Sequence, residues 1–177
     1  MTTGHVFMAS SLDGFIARRD HALDWLMART VEGEDHGYDS FIETMDGVVM
    51  GRATFQTVLG FGDWPYTKPV IVASSSLSDS DLPPELAAKV KLTQLAPRTL
   101  MQSLSQAGWK RAYIDGGRLV QSFLRAGLIF DLTLTIIPVL LGDGRRLFGE
   151  TETDIALELI EAKSSPSGLV QLQYRVA

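Results

Sequence analysis

Arg111-Ala112-Tyr113-Ile114-Asp115-Gly116-Gly117-Arg118-Leu119-Val120-Gln121-Ser122-Phe123-Leu124 changes its hydrophobic period in the middle. Ala112, Tyr113 and Ile114 form an apolar run of strand formers that stops at Asp115-Gly116-Gly117. Leu119, Val120, Phe123 and Leu124 then recur on one helical face. Glycine between a strand and a helix lets backbone approach a ligand with no Cβ in the way. It also leaves the free N–H groups of the first helical turn beside the positive end of the helix dipole, which is a seat for a phosphate. The same dipeptide also serves plain chain reversal, so its meaning depends on what the rest of the chain places near it.

Upstream, the same grammar recurs. His5 to Ser10 reads as a buried strand, Ser11-Leu12-Asp13-Gly14 as a turn, and Phe15-Ile16-Ala17 as a short extended piece. A polar loop follows and ends at Trp25-Leu26. Tyr38, Phe41, Ile42 and Met45 keep helical spacing, Asp46-Gly47 breaks that helix, and Val48-Val49-Met50 is a second strand running through Gly51 into a helix with Phe55 and Val58. Val70 to Ala73 is a third strand closing in Ser74-Ser75-Ser76, and Val90 to Thr93 is a short fourth. Pro97-Arg98-Thr99 opens a helix that Gly108 stops. Downstream, Leu132, Leu134 and Ile136 alternate with threonines in a strand, and Leu157–Ala162 with Leu169–Val176 read as a hairpin around Ser164-Ser165-Pro166-Ser167-Gly168.

Strands alternating with helices and a terminal hairpin predict one α/β domain over residues 1–177. Its sheet is mixed and mostly parallel, with helices on both faces and a C-terminal antiparallel hairpin. Ligands of such sheets bind at the carboxyl ends of the strands, where Gly51-Arg52-Ala53-Thr54, Ser74-Ser75-Ser76 and Asp115-Gly116-Gly117 fall.

Composition narrows the function. The 177 residues are 45% hydrophobic and 21% charged, as in a soluble globular domain. A net charge of −5 argues against a nucleic-acid partner, which requires a basic face. There is no cysteine, so disulfide and thiolate chemistry are excluded, and His5, His21 and His36 lack ligand spacing, so no metal site is expected. Leu128 to Gly142 contains Asp131 and Pro138 and is too short to span a bilayer, and no signal-like segment opens the chain. A cytoplasmic protein with a small-molecule partner and no membrane partner is the expectation. There is no Gly-x-Gly-x-x-Gly of the ordinary dinucleotide fold and no Gly-x-Ser-x-Gly elbow.

Four segments in this order resemble the dihydrofolate reductase-like fold, most closely the pyrimidine-reductase domain of the bifunctional riboflavin-biosynthesis deaminase-reductases. They are Met8 to Ala17, Val49 to Phe55, Tyr113 to Arg118, and Ile137-Pro138-Val139-Leu140-Leu141-Gly142-Asp143-Gly144 through Phe148. The resemblance implies an NADPH-dependent reductase of a small pterin-like or aminopyrimidine-like heterocycle. It assigns Arg52 to the adenosine 2′-phosphate with Ser74, Ser75 and Ser76 along the adenosine. Gly51, Ala53, Thr54, Asp115, Gly116, Gly117, Arg118 and Leu119 fall to the pyrophosphate and riboses, and Ala9 and Ile16 to the nicotinamide. It further implies a cis peptide at Asp115–Gly116 and a homodimer, to which the apolar Leu134–Leu141 segment and the late hairpin would contribute. An arginine fork suits a phosphate dianion on independent grounds.

The chain departs from the folate enzymes in two places. Asp115 stands where they carry a first glycine. The proline they place before a structural tryptophan has no match ahead of Trp25, where Leu23-Asp24 stand instead. Their protonating carboxylate, counted back from Gly51 without gaps, falls on Asp35, with Asp39 one turn later. Asp35, Asp39 and Trp25 are therefore the candidate catalytic residues, while a helix-capping role for Asp35 stands equal to the catalytic one. Asp13 reads as a turn-stabilising side chain. The alternative function is a nucleotide-binding module that keeps the NADPH cradle without catalysis.

Overall fold

The computed structural model describes residues 1–29 and 34–177. Its strands are β1 (Thr3–Ser11), β2 (Phe15–Ala17), β3 (Gly47–Gly51), β4 (Val70–Ala73), β5 (Val90–Thr93), β6 (Arg111–Asp115), β7 (Ile129–Ile137), β8 (Arg145–Arg146), β9 (Leu157–Ser164) and β10 (Val170–Val176). The helices are α1 (Asp24–Met27), α2 (Tyr38–Glu43), α3 (Arg52–Leu59), α4 (Pro97–Gln106) and α5 (Gly117–Arg125). Eight strands form one sheet in the order β5-β4-β3-β6-β1-β7-β10-β9. Neighbours from β5 to β7 run parallel, and β10 is antiparallel to both β7 and β9. The expected mixed sheet with its C-terminal hairpin is present.

Strand alternation sorts the core onto two faces. Val6, Val49, Ile114 and Leu132 turn toward α4 and α5, packing with Leu100, Leu104, Val120 and Phe123. Val48, Met50, Val70 and Val72 turn the other way and meet Phe55 of α3. Phe55 and Phe123 are almost wholly buried, a burial that contributes about 1.5–3 kcal/mol for each such side chain. Both faces of the central strands are covered, which is why those strands read as continuous apolar runs.

Two details differ from the sequence reading. Arg145 and Arg146 form a two-residue strand against β2, which places Phe15 opposite Arg146 and Ala17 opposite Arg145. There is no cis peptide among the described residues, so the Asp115–Gly116 bond is trans, contrary to expectation. The reversal is made instead by the dihedrals of Gly116, φ 101° and ψ 133°, a region that is costly for any residue with a Cβ.

Candidate functional site

The carboxyl ends of β1, β3, β4 and β6 open into a cleft of about 930 Å³, a size common for ligand sites. Ala9, Gly51, Ala73 and Asp115 form its floor at those strand ends, and Ile16, Ala17 and Arg145 close it from the β2–β8 ribbon. Two helices begin at this floor. Gly51 is the N-cap of α3 and Gly116 that of α5, and neither has a side chain capping its free N–H groups. The first-turn donors of two helices, each at a positive dipole end, thus border one cavity.

The glycine pair is required by packing as well as by dihedral. A Cβ on Gly116 would stand 2.5 Å from Thr54 Oγ1, and one on Gly117 would stand 2.6 Å from the carbonyl oxygen of Arg146. The loop before α5 is therefore wedged between the start of α3 and the β8 strand. A Cβ on Gly51 meets nothing within 4 Å, so that glycine faces open cleft.

Cations accompany the donors. Arg52 Nη1 donates to Ser76 Oγ at 2.8 Å, which ties the start of α3 to the loop after β4. The Ser74 hydroxyl accepts from the backbone N–H groups of Ser76 and Leu77, each at 3.2 Å, and so organises its own turn. Arg118 stands in the first turn of α5 with no carboxylate partner among the described residues. Guanidinium groups without a carboxylate partner and free helix N–H groups are the donor set that a pyrophosphate and a ribose phosphate require, so these residues fit a phosphorylated dinucleotide.

The cleft also holds one buried acid. Burial pushes the Asp115 carboxyl up to about 6, and the polar groups beside it, the Tyr113 hydroxyl, the Gly116 N–H and the Tyr66 hydroxyl, offset only part of that rise. The Tyr66 hydroxyl donates to Asp115 Oδ2 at 3.5 Å, a weak contact. Tyr113 donates to the Phe7 carbonyl at 3.0 Å. Burial and the neighbouring Asp115 charge raise Tyr66 and Tyr113 as well, so both phenols remain protonated donors.

Ala9, Ile16, Gly51, Arg52, Ala53, Thr54, Asp115, Gly116, Gly117, Arg118 and Leu119 all line this cleft. Ser76 reaches it through Arg52, whereas Ser74 and Ser75 are not among its lining residues. Asp35, Asp39 and Trp25 do not line it either. Asp35 is exposed and accepts the Gly37 N–H at 2.7 Å, capping the turn before α2. Asp39 is exposed in the first turn of α2, and Trp25 is buried against Ile137 and Leu169. Asp13 accepts from Ser11 Oγ at 2.6 Å and from the backbone of Leu141 and Gly142 at 3.1 and 2.7 Å, so it fastens its turn to the loop after β7.

Tyr66, His21, Arg145 and Arg146 also line the cleft, none of them among the expected site residues. Tyr66 and His21 come from aperiodic loops, which carry no pattern to place them. The two arginines follow the Gly142-Asp143-Gly144 turn, where their basic pairing is the available signal. Among the described residues no group of three or more His, Cys, Asp or Glu side chains could hold a metal ion, and no helix is long and apolar enough to cross a membrane.

Comparison with known proteins gives the family and the fold. Residues 2–171 match the family model described as the RibD C-terminal domain. The chain is 33% identical over 171 residues to the uncharacterized protein YwjB of Bacillus subtilis (strain 168), covering 96% of this chain and 95% of that one. A crystal structure from Shewanella sp. PV-4, assigned provisionally to riboflavin biosynthesis, superposes with a TM-score of 0.93 at 37% identity, covering 99% of both chains. The Thermotoga maritima diaminohydroxyphosphoribosylaminopyrimidine deaminase/5-amino-6-(5-phosphoribosylamino)uracil reductase shares the fold, with a TM-score of 0.69 at 15% identity. The chain covers 57% of that longer protein.

Proposed function

The chain belongs to the RibD C-terminal domain family, and we propose that it is an NADPH-dependent reductase of a small aminopyrimidine-like or pterin-like heterocycle. The observation that carries this reading is the meeting of two uncapped helix N-termini, Arg52 and a buried carboxyl in one cleft. In this reading Arg52 and Ser76 hold the adenosine 2′-phosphate, and the first turns of α3 and α5 hold the pyrophosphate. NADPH, when bound, supplies the hydride. Ala9 and Ile16 form the apolar wall against which a nicotinamide lies, keeping water from the reacting face.

Asp115 takes the acid's role in place of Asp35 and Asp39. A carboxyl near 6 is part protonated at neutral pH, which suits a group that gives a proton to a reduced C=N or C=O bond. Tyr66, held protonated, donates to it without competing for its proton.

The alternative, a nucleotide-binding module without catalysis, draws on the absence of Asp35 and Asp39 from the cleft lining. The two are separated by titrating the protein with NADPH and following its oxidation across a pterin and aminopyrimidine panel. Turnover that falls in Asp115→Asn while NADPH affinity is kept supports the reductase. NADPH binding with no oxidation on any compound supports the module, and failure to bind NADPH removes both.

A further inference from the structure

A second cavity, of about 410 Å³, lies between the last turns of α5, β7, β9 and the segment that joins β8 to β9. Its volume is within the range of small-molecule sites. The joining segment is tied down at both ends. Gln121 Nε2 donates to the carbonyl oxygens of Arg146 and Leu147, each at 3.2 Å. The Leu147 N–H donates to the Gly14 carbonyl at 3.1 Å, and the Ala177 N–H to the Ala156 carbonyl at 3.0 Å. A Cβ on Gly149 would stand 2.5 Å from Gln121 Oε1, so the segment lies close against α5. The walls are built before any ligand arrives, which lowers the ordering cost of binding.

The lining has two kinds of chemistry. Leu124, Leu132, Phe148, Ile155 and Leu157 give the cavity an apolar floor. Phe148 and Leu157 are 42% and 43% exposed, so the floor is open to a ligand. Charges of both signs stand around it: Arg125 at the end of α5, and Glu150 and Asp154 on the joining segment. None of the three belongs to an ion pair among the described residues. Arg125 Nη1 donates to the Glu150 carbonyl at 3.4 Å, a long contact that leaves the other guanidinium donors available. That contact also shows that Arg125 and Glu150 are near enough for one small molecule to meet both.

We propose that this cavity binds a free amino acid with a large apolar side chain. Arg125 holds the ligand's carboxylate, Glu150 and Asp154 hold its ammonium, and the side chain lies on Leu132, Phe148 and Leu157. A guanidinium fork suits a carboxylate, and a carboxylate suits an ammonium, so the two signs of charge call for a zwitterion. The apolar floor calls for hydrocarbon beside those charges, since burying it removes apolar surface from water on both partners. The inference is independent of the reductase reading. Among the described residues only Gln121 lines both this cavity and the cleft.

The test is backbone amide NMR of the isotope-labelled 19.4 kDa chain near neutral pH, with L-phenylalanine as the probe. Three further compounds each lack one feature: 3-phenylpropionate the ammonium, phenethylamine the carboxylate, and glycine the apolar side chain. L-Phenylalanine should give saturable shifts at Arg125, Thr151 and Ile155, and each of the other compounds should bind at least about tenfold more weakly. Arg125→Gln should bring L-phenylalanine down to the level of phenethylamine. Glu150→Gln combined with Asp154→Asn should bring it down to the level of 3-phenylpropionate. All three residues are exposed, and each variant's own spectrum shows that its fold is kept. Equal affinities for the three aromatic compounds, or variants that bind L-phenylalanine as wild type does, overturn the inference. So does an absence of saturable shifts, or shifts confined to Gly51 and Gly117 of the cleft. NADPH titration of the same samples judges the reductase reading separately.

Discussion

In the proposed reductase, Arg52 and Asp115 carry the chemistry at the scale of single residues. Arg52 emerges beside a strand-ending glycine with its guanidinium bonded to Ser76. A hydrogen bond to a charged group contributes roughly 1.5–3 kcal/mol. Arg52→Ala should therefore weaken NADPH by roughly 10- to 150-fold and leave NADH almost unchanged, as parallel titrations of both cofactors would show. Equal losses would place Arg52 on the pyrophosphate. Asp115 leaves its mark on stability. Its carboxyl is raised from 3.8 to about 6 in the fold, so the folded state holds a proton that the unfolded chain releases. That contribution is complete below about pH 4, is lost as pH rises toward 6, and amounts to about 3 kcal/mol over the interval. Hydrogen-bonded Asp13 and Asp46 are lowered and give the opposite slope, so the comparison must be against Asp115→Asn. Urea unfolding at pH 4 and pH 7 should show wild type losing ground to the variant on going to pH 7. Parallel behaviour of the two proteins would mean that Asp115 is solvated.

The strand–glycine–helix units operate at the scale of elements, and they are also the most legible part of the chain. Apolar runs ending in Gly51 and in Asp115-Gly116-Gly117 mark β3–α3 and β6–α5 because their hydrophobic period changes at the glycines. The acid is harder to place. A gap-free count back from Gly51 crosses a loop, and loop length has no period to hold the register, so the count arrives at a turn-capping Asp35. The acid that does line the cleft stands inside the glycine motif itself, where Asp115 reads as part of a phosphate loop. Tyr66 and His21 escape a sequence reading because only tertiary contacts bring their loops to the cleft. Gly116 tests the element directly. Gly116→Ala combines φ 101° with a Cβ only 2.5 Å from Thr54 Oγ1, a combination that should cost about 1–3 kcal/mol. The expected result is a lower midpoint in urea together with loss of NADPH binding, because α5 must shift. An alanine variant with unchanged stability and affinity would show that the loop is not wedged.

At the scale of the whole molecule, the sheet is covered unevenly. Helix α5 packs against β3, β6 and β7, and beyond β7 the same face continues onto β10 and β9. The pairing register puts Leu157 and Leu159 of β9 beside Val176 and Tyr174, and Val170 beside Ile136. Leu157, Leu159 and Val170 are 43%, 54% and 37% exposed, an apolar half-face with no helix packed over it among the described residues. The apolar surface expected from Leu134 to Leu141 is smaller than the sequence suggests, since Leu134 and Ile137 are buried. The strand edge itself is guarded: Ile160 is an extra residue in the β9–β10 ladder, and Glu158, Glu161 and Lys163 are exposed along it. We propose that a second copy of the chain covers the open face, packing face to face and leaving the edge unpaired. Light scattering on the purified protein should give twice the 19.4 kDa chain mass. Leu159→Glu should then return the mass to that of one chain, while an exposed substitution of this kind changes the fold's own stability by about 0.5 kcal/mol or less. A wild-type mass of one chain at micromolar concentration removes the dimer, and a dimer untouched by Leu159→Glu moves its interface to another face.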